Sequence, residues 1–500
     1  MVSFRLVSSS IFTSLSTLLM KFITILTLLA LPLLAASSQR KPNIVVILAD
    51  DLGYGDLECY GHPHIKTPHL NALAKGGIRF TDFYSAAPVC SPSRVGLMTG
   101  RSPNRAGIYD YIPGNRGIFM RTSETTIPQL LKKAGYATCL SGKWHCNGKF
   151  NSPAQPQPDA AGFDHWFATQ NNASPSHANP TNYVRNGEKV GRVEGFSCGI
   201  ATDEAIGWIK SLREKKPEKP FFLYLAFHEP HEPVASPEAL VEEYRESARQ
   251  EEEAQYFANV ANLDAAVGKL NAALKELQLE KETLIIFTSD NGPETLRRYN
   301  RAKNSFGSAA PLRGMKLWTT EAGFRVPGIV SWPGTIAPGQ TSGQPVSSLD
   351  FLPTFCQLAD TTPPSDLLLD GTNVLPLLLG GKNVSREKPL LWIFYNALNE
   401  RRVAMRHGDY KILARLNLPT YIAVNSANSG KVKNATLSDF QLFKVSTDLH
   451  ESKDLSAIEP GRFAELKKLL ETEYASLVED SHVWEDETLK TTGHRGKKSK

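Results

Sequence analysis

Five short stretches of this 500-residue chain hold side chains whose types and spacing could do chemistry. Asp50-Asp51, Lys143-Trp144-His145, His228-Glu229-Pro230-His231 and Asp290-Asn291 each close an apolar run, and Cys-Ser-Pro-Ser-Arg (90–94) stands apart from them. Asp50, Asp51, Asp290 and Asn291 offer oxygen ligands only, the donor set of calcium or magnesium rather than zinc. A lone Asp at a strand end is more often a helix cap. Two such pairs at the ends of two core strands read as a metal site. Arg94, Lys143, His145, His231 and Lys316 add cations and proton donors. A divalent cation with such groups is what binding and transferring a tetrahedral oxyanion requires.

Cys90 precedes Pro92 by two residues and Arg94 by four. Proline suits the first turn of a helix, where its missing N–H has no partner to lose. Cys90 would then sit at the positive end of that helix, which favours a thiolate or a bound anion. Nucleophile, metal ligand and half of a disulfide all remain open on this ground. The other cysteines are Cys59, Cys139, Cys146, Cys198 and Cys356, and none makes a CxxC pair. That argues against a zinc knuckle, and the spacing is too sparse for a small disulfide scaffold.

The elements that must position these groups are buried parallel strands. Pro42 to Ala49, Ala137 to Ser141, Phe221 to Phe227 and Leu284 to Ser289 are short apolar runs with polar residues at their carboxyl ends. Phe257, Val260, Leu263, Val267, Leu270, Leu274 and Leu277 recur at helical steps before the last of them. Strand and helix in alternation predict an α/β fold with helices on both faces of a mostly parallel sheet. Ligands bind such sheets outside the carboxyl ends of the strands, where all the polar clusters fall.

Both termini read differently from the body. Residues 1–38 combine a cationic start, an apolar run and small residues at 35–38, the pattern of a cleaved export signal, with Met20 as a second possible start. No other segment is apolar enough to span a bilayer. Residues 483–500 read as a basic, disordered tail. Seven cations lie in 1–36 and 490–500 with no acid, which leaves 49 cations against 51 acids, net −2, in between. The body is no polycation, so a nucleic-acid partner is not expected, and an anion would be held by a few placed charges.

The motifs carry a resemblance. PNIVVILADDLGYGDL (42–57), CSPSRVGLMTGR (90–101), GYATCLSGKWH (135–145), FFLYLAFHEPHEP (221–233), TSDNG (288–292) and PLRGMKLWTTEAGFRVP (311–327) resemble, in order, those of type I sulfatases of the alkaline phosphatase superfamily. RVAMRHGDYKIL (402–413) and QLFKVSTDLHESKDLS (441–456) extend the match, and the arylsulfatase and N-acetylgalactosamine-6-sulfatase branches look nearest. The resemblance implies a sulfuric ester hydrolase acting on a sulfated carbohydrate or aryl sulfate. It implies that a maturation enzyme oxidises Cys90 to formylglycine. One hydroxyl of the hydrated aldehyde attacks sulfur, and the other then expels sulfate. It further implies one calcium ion on Asp50, Asp51, Asp290, Asn291 and residue 90. Arg94 would stabilise the gem-diol alkoxide, and Lys143 and Lys316 would bind sulfate. His145 would assist elimination, and His231, with His228 as rival, would protonate the leaving alcohol. After Lys-Trp-His the family usually continues Leu-Gly, and here Cys146-Asn147-Gly148 stands instead.

The same resemblance predicts a catalytic domain over 39–385 and a C-terminal subdomain over 386–482, a small antiparallel sheet with a helix. Two other functions stay open at this point, a phosphoester or phosphonate ester hydrolase and a non-catalytic glycan-binding protein. The segment Gln170 to Tyr183, rich in Asn and Ser, is expected to overhang the site and set substrate choice through His177. Asn172, Asn383 and Asn434 fit the glycosylation acceptor pattern.

Overall fold

The computed structural model describes residues 40–296, 302–381, 384–419, 422 and 424–485. The predicted export signal, Asn383 and the tail from 486 onward lie outside them. Eleven strands of the described residues form the main sheet. They are β1 (Asn43–Asp50), β2 (Ile78–Tyr84), β3 (Ala137–Lys143), β4 (His165–Thr169), β5 (Tyr183–Arg185), β6 (Glu188–Gly191), β7 (Phe221–Pro230), β8 (Thr283–Ser289), β9 (Arg325–Ser331), β10 (Gln340–Ser342) and β11 (Val346–Ser347). Their order is β10-β2-β9-β8-β1-β7-β3-β4-β5-β6, with β11 also on β2. The five central strands, β8-β1-β7-β3-β4, run parallel.

Alternate residues of the central strands feed two cores, which explains why their sequences are apolar throughout. Ile44, Val46, Leu48, Phe222, Tyr224, Leu284 and Ile286 pack on one face with Val95, Leu97 and Met98 of α1 (Cys90–Thr99). Val45, Ile47, Ala49, Leu223, Leu225, Ile285 and Phe287 pack on the other with α2 (Ser197–Lys215) and α3 (Glu251–Glu276). Every residue of α1 is buried. Gly100, at φ +65° in the left-handed region, ends that helix by donating its N–H to the Gly96 carbonyl at 2.9 Å.

A second, antiparallel sheet follows, β12 (Leu390–Ile393), β13 (Val403–His407), β14 (Tyr410–Leu416) and β15 (Leu437–Lys444). Helix α4 (Pro460–Asp480) covers it with Leu466, Leu470, Tyr474 and Leu477. Both sheets belong to one compact unit that begins at Pro42. A buried ion cluster joins them. Lys411 Nζ on β14 lies 3.0 Å from Glu321 and 2.9 Å from Glu451. Arg406 on β13 reaches Asp82 on β2 at 2.5 Å. Residues 483–485, expected at the head of a disordered tail, are instead fixed in place. The Trp484 indole is buried and donates to the Gly107 carbonyl at 2.7 Å. All six cysteines are free thiols, and no helix of the described residues is long and apolar enough to cross a membrane.

Candidate active site

The polar clusters converge because β1, β7, β3 and β8 are adjacent and parallel, so their carboxyl ends share one edge. Asp50 is the last residue of β1, Lys143 the last of β3, and Asp290 follows β8 directly. Helix α1 brings Cys90 to the same edge and sends Arg94 underneath. The Arg94 guanidinium donates through Nε to Asp290 at 2.9 Å, and through Nη1 to the Lys143 carbonyl at 2.9 Å. Lys143 Nζ donates to Asp50 Oδ2 at 2.6 Å. Lys316, on the loop before β9, donates to both oxygens of Asp51 at 2.7 Å.

Three non-glycine residues at this edge lie in the left-handed region, Asp51 (φ 63°), His145 (φ 54°) and Leu317 (φ 66°), which follows Lys316. Such backbone persists only where its surroundings over-determine it, and it gathers at functional sites.

Asp50, Cys90 and Asp290 each bring a ligand atom within 4.8 Å of the others, as do Asp50, Asp51 and His231. Asp50 Oδ1 and Asn291 Oδ1 are buried and accept no hydrogen bond among the described residues. Two buried oxygens without a donor, beside two further carboxylates, fit a hard divalent cation. The electrostatics agree. Burial and the neighbouring Asp50 push the Asp290 carboxyl up. Burial acts to raise Asp50 too, but Lys143, His231 and Arg94 outweigh it and hold that carboxyl low.

Burial also raises the Cys90 thiol, against the pull of Lys143 and Lys316, so the unmodified side chain is a poor nucleophile at neutral pH. His145 stands 3.1 Å from the Ile112 carbonyl through Nε2. Donation there puts the proton on Nε2 and leaves the buried Nδ1, which has no partner among the described residues, as the basic atom. Burial holds that ring neutral. His231 donates from Nδ1 to the Glu232 carbonyl at 2.6 Å and turns Nε2 toward Asp51, 3.6 Å away. Burial pushes its pKa down to about 4 despite Asp51.

A cavity of about 390 Å³ opens over Cys90. His145, His231 and Lys316 face it from the motifs quoted above, beside Asp110, Tyr111, Asn171, Asn172 and Asn396, with Val89, Leu317, Phe394 and Leu398 as its apolar part. Sequence reading missed Asp110, Tyr111 and Asn396, which lie in no motif. Asn396 Nδ2 donates to Asp110 Oδ2 at 2.8 Å across 286 positions of chain.

Two candidates for substrate contact are corrected. His177 is buried under the site, 3.1 Å from Asn259 and 3.9 Å from Glu229, and does not line the cavity. His228 is buried as well, 2.7 Å from Thr169 Oγ1, its ring edge-on to Tyr183. His228 lies within β7 and His177 packs against Glu229 of that strand, whereas His231 directly follows its last residue, Pro230. From the segment 170–183 it is Asn171 and Asn172 that reach the cavity. Asn172 donates to the Glu232 carbonyl at 2.8 Å, so a glycan on it would collide with the site.

Comparison with known proteins agrees with this geometry. The sulfatase family model matches residues 42–361, and the model described as N-sulphoglucosamine sulphohydrolase, C-terminal, matches residues 315–452. The chain is 38% identical over 411 residues to N-acetylgalactosamine-6-sulfatase of Mus musculus, covering 77% of this chain and 74% of that one. It is 38% identical over 392 residues to arylsulfatase A of Homo sapiens, 74% of each. The structure of Ps i-CgsB in complex with k-i-k-neocarrahexaose superposes with a TM-score of 0.74 at 29% identity, over 90% of this chain and 96% of that one.

Proposed function

We infer, since this chain belongs to the sulfatase family and hydrolyses sulfuric esters, that its substrate is a sulfated carbohydrate cleaved at residue 90 converted to formylglycine. The observation that carries this reading is the position of Cys90. It lies buried at the floor of a cavity of about 390 Å³, ringed by Lys316, His145 and His231. Formylglycine supplies a hydrated aldehyde whose hydroxyl is the nucleophile that a protonated thiol is not. A calcium ion on Asp50, Asp51, Asp290, Asn291 and residue 90 supplies positive charge to the sulfate oxygens.

The remaining work belongs to the chain's own side chains. Lys143 and Lys316 bind sulfate oxygens, each already held by a carboxylate, so little reorganisation is needed when the anion arrives. Arg94 keeps its charge and anchors Asp290 from below. His145, with Nδ1 as its basic atom, takes a proton from residue 90. His231 and Lys316 both line the cavity, and on this reading they supply the proton to the leaving oxygen. An incoming anion favours the protonated His231, offsetting part of the burial that disfavours it.

The carbohydrate assignment draws on Asp110, Asn171, Asn172 and Asn396, the polar groups of a mixed wall that also has Tyr111 and Phe394 to face a sugar ring, and on similarity to an amino-sugar sulfatase and to a sulfatase structure in complex with an oligosaccharide. The predicted export signal places the enzyme in a secreted, periplasmic or lysosome-like compartment, and the boundary near residue 385 separates its catalytic and C-terminal parts. A panel of defined sulfated sugars, assayed for released sulfate beside 4-nitrophenyl sulfate, tests the substrate class. Turnover of the aryl ester alone would overturn it.

A further inference from the structure

A second cavity, of about 430 Å³, lies beside the one over Cys90, and nothing in the reaction above uses it. Two segments run between them. Asp110, Tyr111, Asn171 and Asn172 face the first cavity, whereas Gly114, Asn115, Gln170 and Asn182 face the second. The ridge they form is tightly built. Gln170 Nε2 donates to the Ile112 carbonyl at 3.1 Å and to the Asn147 carbonyl at 2.9 Å. Asn115 N–H donates to the Gly148 carbonyl at 2.7 Å, and Asn182 Nδ2 to the Asn172 carbonyl at 2.9 Å. The same ridge holds a reacting group, since His145 bonds the Ile112 carbonyl through its ring and the Gln170 carbonyl through its N–H at 2.8 Å. An occupant of the second cavity would thus adjoin the reaction across one layer of residues.

The lining of the second cavity has its own chemistry. Asn115 and Asn151, both in the left-handed region (φ 65° and 51°), have side-chain amides without a partner among the described residues. Phe150, half-buried with its ring edge-on to Trp166, offers an apolar surface. Lys189 is the one charged residue of the described lining and pairs with no carboxylate among the described residues. Amides, an aromatic surface and a single cation suit a sugar that is neutral or anionic, and no acid is present to repel a second sulfate.

We propose that this cavity is a distal subsite, which holds neighbouring sugar units of an oligosaccharide while its sulfated unit sits over residue 90. The proposal rests on the carbohydrate reading above. Binding is measured by calorimetry with full-length Cys90→Ala enzyme and with oligosaccharides of chondroitin 6-sulfate and of carrageenan, two and six sugars long. In the series that binds, the hexasaccharide is expected to bind about tenfold tighter than the disaccharide, the worth of one or two added hydrogen bonds. Phe150→Ala with Lys189→Ala should cut that gain to about threefold or less without weakening the disaccharide. Thr181→Trp, which puts a bulky ring into the cavity from an exposed position, should do the same. Equal affinities at both lengths, a gain that survives these variants, or no binding in either series would each overturn the proposal. A matured parent enzyme without activity on 4-nitrophenyl sulfate would instead indict the reaction itself, so the two failures are told apart.

Discussion

The Leu398 N–H donates to the Leu317 carbonyl at 3.0 Å, tying the loop after β12 to the residue that follows Lys316. Leu317 in turn donates to the Pro88 carbonyl at 2.8 Å, and Lys316 N–H to the Pro293 carbonyl at 2.9 Å. The ammonium group of Lys316 is therefore placed by three separate stretches of chain, one preceding Cys90, one following Asn291 and one from the C-terminal sheet. The left-handed backbone at Leu317 is the local cost of that junction.

Lys316→Ala should lower kcat/KM on 4-nitrophenyl sulfate by about 10²–10³, the usual loss when one preorganised charge is removed from a developing anion. Stability in urea should fall as well, because Asp51 loses the ammonium group that meets both its oxygens, so the kinetics are compared where both proteins are fully folded. A loss below about fivefold would place Lys316 outside the chemistry.

Conversion of Cys90 is read from the tryptic peptide Phe80–Arg94, which should carry an aldehyde in active enzyme. Cys90→Ala should abolish turnover and leave the unfolding midpoint nearly unchanged, since alanine fits the same buried helix start. Active enzyme with only thiol in that peptide would rule the conversion out.

Calcium added to metal-stripped protein should raise the melting temperature, by an amount that corresponds to about 2.7 kcal/mol at a hundredfold excess over Kd. Asp290→Asn should blunt the shift and Asp56→Asn should not, because Asp56 is held by Gly53, Ser308 and Tyr256 rather than at the metal cluster. A melting temperature indifferent to calcium in the parent protein would contradict the ion site.

Glu204 gives a pH dependence outside the active site. Burial acts to raise its carboxyl, but hydrogen bonds from Arg185 and His165 outweigh that and bring its pKa down to about 2. A depressed carboxylate stabilises the fold above its unfolded pKa and loses that contribution as pH falls through the folded one. Glu204→Gln should therefore cost roughly 0.5–1 kcal/mol at pH 7, a modest figure because Arg185 is 45% exposed. The difference from the parent should shrink between about pH 4.5 and 2. Urea midpoints at pH 7 and pH 3 check this.

Lys411→Met should destabilise the protein by about 3–5 kcal/mol, since it strands Glu321 and Glu451 in a fully buried place. Adding Glu451→Gln should recover part of the loss. Additive costs in the double variant would mean that the charges do not act as a unit.

Much of this architecture was legible because its signals are local. Apolar runs ending in Asp50, Lys143 and Asp290 need no distant contact to be recognised, and parallel pairing then forces their ends together. His177 was misread because Asn, Ser and Pro around it have the composition of a solvent loop, while the Glu229 carboxylate and the Asn259 amide that bury it come from β7 and α3. Asp110 and Asn396 could not be paired from sequence, since each is an ordinary polar residue until folding brings them together. The subsite ridge was hidden for the same reason. Gln170 reads as one more loop amide, and only its bonds to Ile112 and Asn147 reveal a wall.

Cys90 is 3% exposed and opens a helix whose every residue is buried between the main sheet and its covering layer. In the finished fold a second protein would meet that sulfur only at the floor of the cavity of about 390 Å³. If residue 90 is converted as proposed, its oxidation is expected during biosynthesis, on a segment still extended, with the docking of the helix as the deadline. Under that proposed conversion, maturation and folding would be competitors in time. A chain that folds too early would be stable, correctly shaped and permanently inert, and the share of such molecules would report the relative speed of the two processes rather than any defect in the sequence.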